Sequence, residues 1–131
     1  MNMQRKIYIN NDLDIVTARM QAREMAKLMG FRTADQARIS LAASELAKVL
    51  SWNPDTPGEI IMTGINQNEH QGLQVICLVK LDHLSSDDQS NSISGPGRNL
   101  AGACQLVDES IVEEQGNKQA LVTLIKWLKD P

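Results

Sequence analysis

Leu73-Gln-Val-Ile-Cys-Leu-Val-Lys-Leu81 is the stretch that decides the fold. It is almost continuously apolar and rich in β-formers, the pattern of a strand at the centre of a sheet. Upstream, the polar turn Asn66 to Gly72 joins it to a second strand, Glu59 to Ile65. Before that pair, Asn53-Pro54-Asp55-Thr56-Pro57-Gly58 breaks the chain with closely spaced turn residues.

Further upstream the period changes from two to 3.6. Ile39, Ala42, Ala43, Leu46 and Leu50 lie along one stripe and predict a helix over 34–52. Thr33-Ala-Asp-Gln36 ahead of it has the form of a capping box. A first helix over Leu13 to Met29 places Ile15, Ala18, Ala22, Met25, Ala26 and Met29 on its core side. Asn11-Asp12 offers N-cap chemistry there, and Gly30 stands at the C′ position. Residues 5–10 alternate as a short strand. The methionines Met20, Met25 and Met29 are expected to fill core gaps, because aromatic residues make up only 3% of the chain.

Downstream of the central strand, 83–97 is a long run of Ser, Asp, Asn, Gly and Pro without periodicity, a loop of the functional or disordered kind. Arg98 to Asp108 forms a short helix. Ser110 to Glu114 and Gln119 to Leu128 close the chain as two strands around Gln115-Gly116-Asn117-Lys118. The expected fold is one α+β domain over 1–131. It is a two-layer sandwich in which about three helices cover one face of a mixed, mostly antiparallel sheet.

Composition excludes several function classes. A net charge of −3 gives no general attraction to nucleic-acid backbones or anionic membranes, and the scarcity of aromatics removes the stacking platforms of single-strand binders. No apolar run reaches the ~20 residues of a membrane span, and no signal-peptide h-region follows the basic N-terminus, so a cytoplasmic location is expected. Cys77 and Cys104 are isolated and read as reduced, buried thiols. His70 and His83 have no Cys or His partner at ligand spacing and read as loop histidines. Trp52 and Trp127, each near an element end, read as core or edge packing rather than binding hot spots.

Three stretches, in order, carry a resemblance. They are Met25 to Phe31 with Asp35-Gln-Ala-Arg-Ile39 and Ser44-Glu-Leu-Ala-Lys48, then Gly102-Ala-Cys-Gln-Leu-Val-Asp-Glu109, then Val122-Thr-Leu-Ile-Lys-Trp127. Together with the long loop before the third helix, they resemble the GHKL (Bergerat-fold) ATPases. The nearest match within that fold is the RsbT-like switch proteins, anti-sigma-factor serine kinases of the bacterial stressosome. The resemblance runs through essentially the whole chain, and the length suits a stand-alone member.

What the resemblance implies for chemistry departs from what stands here. In the family an acid on the second helix acts as general base, and an asparagine four residues later binds Mg²⁺. One turn of helix puts both on one face. Glu45 holds the acid's position, but Val49 holds the asparagine's, and an isopropyl group cannot ligate a hard cation that requires oxygen. The family's Asp-x-Gly-x-Gly, which seats adenine, corresponds to Asp82-His-Leu-Ser-Ser86. Asp82 is kept, while Leu84 and Ser86 replace the glycines. Taken alone, Asp82 reads equally well as a turn residue at a strand end. The phosphate lid corresponds to Gly95-Pro-Gly-Arg-Asn-Leu-Ala-Gly102, where Gly95, Gly97 and Arg98 suit an anion at a helix N-terminus and Asn99 replaces a third glycine. Outside the resemblance, Gly-Pro-Gly is an ordinary turn and a lone Glu45 an ordinary solvated side chain.

Phosphoryl transfer depends on positioning and on cations that neutralise developing charge, so an acid without its metal has little to do. The expected function is therefore a partner-switching regulator with weak or no kinase activity and no required cofactor, ATP and Mg²⁺ binding weakly at most. The partners that the resemblance implies are a STAS-domain antagonist and the regulatory domain of a PP2C-type phosphatase. Two alternatives stay open. One is an active serine kinase of a STAS-domain protein, with Asn91 or Asn99 supplying the metal contact. The other is an anti-sigma factor that holds a sigma subunit directly.

Overall fold

The computed structural model describes residues 3–50, 55–80 and 96–129, without the side chains of 96–99. The order of elements is β1 (Gln4–Ile9), α1 (Asp12–Met29), α2 (Thr33–Val49), β2 (Gly58–Gln67), β3 (His70–Lys80), α3 (Pro96–Gln105), β4 (Glu109–Gln115) and β5 (Gln119–Trp127). The sheet runs β1-β2-β3-β5-β4, and every pairing is antiparallel. Residues 73–80 lie in the middle strand, as their mostly apolar character requires. Among the described residues three helices pack on one face of this sheet, with α2 between α1 and α3.

Local chemistry sets the boundaries. The Asn11 side chain accepts from the Asp14 amide at 3.1 Å, and Gly30 ends α1 with φ 96°, its amide reaching Ala26 and Lys27. The capping box expected at Thr33 does not form. Arg32 is the N-cap, without a side-chain cap bond, and Thr33 is the first helical residue. The Gln36 side chain instead reaches back past the cap to the Phe31 carbonyl at 2.9 Å. The second helix stops at Val49, short of the expected 52.

Strands β2 and β3 are longer than the sequence pattern suggests. Asn68 and Glu69 both take positive φ (54° and 68°), the two-residue hairpin turn whose twist matches its strands, so pairing continues out to Gln67 and His70. His70 therefore opens a strand rather than sitting in a loop. Asn117 and Lys118 repeat the device between β4 and β5.

The core is built from small and aliphatic residues. Ala18, Ala22 and Ala26 of α1, Ala42, Ala43 and Ala47 of α2, and Ala103 of α3 are buried and let the helices approach closely. Ile60, Met62, Leu73, Val75, Val79, Val122 and Leu124 meet them from the sheet. Met25 is fully buried and Met29 is partly so, but Met20 is 64% exposed and does not belong to the core. It lies on the opposite face of α1, where the stripe that faces the sheet has turned away. Cys77 is buried and Cys104 is half-buried. Burial pushes the Cys77 thiol far above its ordinary range, so it stays protonated and inert. Trp52 and His83 lie outside the described residues.

Trp127 packs at the sheet's end. A Cβ on Gly72, its cross-strand partner, would stand 2.7 Å from the indole Cε3. Glycine is required there to let the ring lie on the backbone. Gly72→Ala is expected to destabilise the fold by about 1–3 kcal/mol through overpacking, measurable as a lower urea midpoint with unchanged slope.

Candidate functional site

Glu45 sits on α2, on the side that faces α3. Its Oε2 accepts from Lys48 Nζ at 2.9 Å, one turn along the helix. Its Oε1 points toward Gly102 of α3, where an added Cβ would stand 4.0 Å away. The carboxylate is thus held between a lysine and the α3 backbone, with 19% of the side chain accessible. The small residue at 102 leaves room for it.

Val49, one turn beyond Glu45, is fully buried and belongs to the hydrophobic core with Leu46 and Leu50. At this place the chain offers Mg²⁺ a hydrocarbon surface inside packed apolar residues, where the cation needs oxygen donors. The donor set on α2 therefore does not fit a magnesium-bridged triphosphate in the way an acid and an amide would.

The other expected site residues divide by location. Gly97 and Arg98 fall in the first turn of α3, so the helix does start on the glycine-rich stretch. Their side-chain surroundings, and those of Asn99, lie outside the described residues, as do Asp82, Leu84, Ser86, Asn91 and Gly95. Of the expected set, Glu45 and the start of α3 stand on neighbouring elements.

Two features escaped the sequence pattern. Leu13, Val16 and Met20 form a second stripe on α1, opposite the buried one, and they are 76%, 44% and 64% exposed. Their spacing of three and four residues was the available signal. The second is an ionic cluster under the helices. Lys126 of β5 is almost fully buried, with Nζ 3.3 Å from both carboxylate oxygens of Asp108 and 3.7 Å from Asp35 of α2. Asp108 also accepts the Trp127 amide at 2.7 Å, and Asp35 pairs with Arg38 at 3.1 Å. Each of the three stretches that carry the family resemblance contributes one charge to this cluster. It locks the start of α2, the segment after α3 and the last strand together.

No protein-family model matches the chain. The chain superposes on the RsbU and RsbW domains of Rv1364c from Mycobacterium tuberculosis with a TM-score of 0.65 at 20% identity; this covers 100% of the chain but only 33% of that larger one. It also superposes on one chain of the SiaB–SiaC complex from Pseudomonas aeruginosa, with a TM-score of 0.51 at 11% identity over 96% of this chain and 89% of that one. These likenesses show the fold, a two-layer α+β domain with helices on one face of a five-strand antiparallel sheet. In sequence the chain is 33% identical over 135 residues to the serine/threonine-protein kinase RsbT of Bacillus subtilis (strain 168), covering 98% of this chain and all of that protein. The chain belongs to the RsbT family.

Proposed function

We propose that this member of the family works by binding protein partners, as a switch in a bacterial sigma-factor pathway, with weak or no kinase activity. One observation carries the reading. The residue one turn beyond the acid is a hydrocarbon sealed in the core, so the acid has no metal-binding neighbour on its helix. Partner binding needs a folded surface rather than Mg·ATP, and the exposed Leu13, Val16 and Met20 stripe on α1 supplies apolar contact area of that kind. The partners that suit the family are a STAS-domain antagonist and the regulatory domain of a PP2C-type phosphatase. The solved relatives include a chain with RsbU and RsbW domains and a complex of two proteins, SiaB and SiaC. A cytoplasmic site of action follows from such partners. It accords with the lack of any helix, among the described residues, long and apolar enough to cross a membrane.

A second reading, an active serine kinase, is favoured by Glu45, whose partly accessible carboxylate faces α3, and by the kinase named among the relatives. In it Asn91 or Asn99 brings the missing oxygen. The two readings separate in one assay with a STAS-domain protein, labelled ATP and Mg²⁺. The switch predicts complex formation without nucleotide and no phosphoserine on the partner. Stoichiometric phosphorylation within minutes would establish the kinase.

A further inference from the structure

The two margins of the sheet differ. At β1 the side chains of Ile7 and Ile9 are buried, and Arg5 is tied to Gln21 and Glu24 of α1. At β4 every residue from Glu109 to Gln115 is exposed. Its register against β5 runs without a bulge, and it holds no proline, glycine or lysine. Bulges, prolines and lysines are among the usual devices that close a strand edge to other chains. In their place β4 carries only carboxylates, at Glu109, Glu113 and Glu114.

The strand register fixes which backbone groups of β4 look outward. The Leu128 amide donates to the Gln71 carbonyl at 2.7 Å, across the pair Gly72 and Trp127, so that pair is itself a non-bonded one. Bonding directions alternate along β5. Ile125, Thr123 and Leu121 therefore turn their N–H and C=O groups toward β4, where they face Glu109, Ile111 and Glu113. The Trp127 amide agrees, since it donates to Asp108 just before β4. Ser110, Val112 and Glu114, between those partners, direct their backbone groups away from the sheet.

Side chains flank this row on both faces. Ile111 and Glu113 stand on the helix-free face, and Val112 and Glu114 on the other. Ile111 is 43% and Val112 47% exposed. Glu109 accepts from the Trp127 indole, but Glu113 and Glu114 make no ion pair among the described residues.

We propose that β4 is a docking edge for an extended basic segment of another protein, which adds to the sheet as a further strand. Main-chain bonds to Ser110, Val112 and Glu114 hold the segment. Cross-strand pairs set its identity: lysine or arginine opposite Glu113 and Glu114, and β-branched residues opposite Ile111 and Val112. Charge selects this occupant over a second copy, because β4 laid against β4 gathers the carboxylates of both chains on one edge. The β1 strand of a second copy is basic, but its Arg5 and its isoleucines are committed to α1 and the core. The inference goes beyond the switch reading and does not rest on it, since a kinase could use the same edge.

Fluorescence anisotropy with the labelled peptide Lys-Lys-Val-Val-Thr-Lys, without nucleotide or any other protein, tests the proposal. Saturable binding is expected below about 1 mM, with slower hydrogen exchange at the amides of Ser110, Val112 and Glu114. Val112→Pro removes one outward amide and leaves the bonds to β5, a place where edge strands admit proline. Folded by circular dichroism, it should bind the peptide at least tenfold more weakly, and so should Glu113→Lys combined with Glu114→Lys. Should Val112→Pro not fold, the peptide carries the test instead. Of its two forms methylated on alternate amide nitrogens, one must lose binding at least tenfold although its charge is unchanged. Absence of binding at about 1 mM overturns the proposal. So do methylated peptides that both bind like the parent, which would show attraction by charge alone. Assembly of the native chain by itself, abolished by Val112→Pro, would give the edge to a second copy and equally refute it.

Discussion

Val49→Asn is expected to destabilise the protein by about 2–4 kcal/mol instead of building a metal site. The side chain is fully buried among Leu46, Leu50 and the sheet. An amide of similar volume placed there would lose the apolar burial of valine and carry donors and acceptors with no partner. Each unsatisfied buried polar group costs roughly 1–3 kcal/mol. For a chain of this size, melting should fall by on the order of 10 °C. Urea denaturation of the variant checks the magnitude, and calorimetry with Mg·ATP checks the chemistry. Tight nucleotide binding is not expected from this change alone, because the resemblance implies glycines where Leu84 and Ser86 stand. A variant of native stability that binds ATP at micromolar concentration would show that position 49 faces a nucleotide pocket.

Lys126→Ala is expected to be the more damaging change, at about 3–5 kcal/mol. Lys126 is the cation between two carboxylates under the helices, and its removal leaves the Asp108 carboxylate, among the described residues, with the Trp127 amide. Asp35 keeps Arg38, which places the loss toward the lower end of that range. The effect should be shared with Asp108. A double-mutant cycle of Lys126→Ala and Asp108→Ala should give a coupling of about 1–3 kcal/mol. Additive losses would mean that the cluster does not act as a unit.

Much of this fold was legible because periodicity changes cleanly along the chain. The mostly apolar run over 73–80 lies in the central strand, and the stripes of α1 and α2 face the sheet as their spacing requires. The misses have local causes. Thr33-Ala-Asp-Gln36 fits a capping box, but the chain enters α2 one residue earlier and Gln36 finds the Phe31 carbonyl instead. Asn68-Glu69 lacks the glycine that usually marks a tight hairpin, so the turn seemed longer than it is. Met20 fits a helical period, but on the second stripe of α1 rather than the buried one.

The candidate site was legible only through resemblance. A glutamate and a valine four residues apart carry no intrinsic signal of a metal position; only the resemblance implies one. The family pattern gives them meaning, and the structure adds that the valine is core and the glutamate is held by Lys48. The Lys126 cluster shows the converse. Its charges lie in three separate stretches, the second more than seventy residues after the first, and nothing in the sequence says that they meet. They nonetheless fall within the three stretches that carry the family resemblance.

Thermal melting with and without Mg·ATP tests the central claim most directly. A site of micromolar affinity at millimolar ligand would add roughly 4 kcal/mol of stability, a rise on the order of 10 °C for a chain of this length. The buried hydrocarbon at position 49 predicts a shift under about 1 °C, the same with magnesium or without it. A large rise that appears only when magnesium is present would contradict the account.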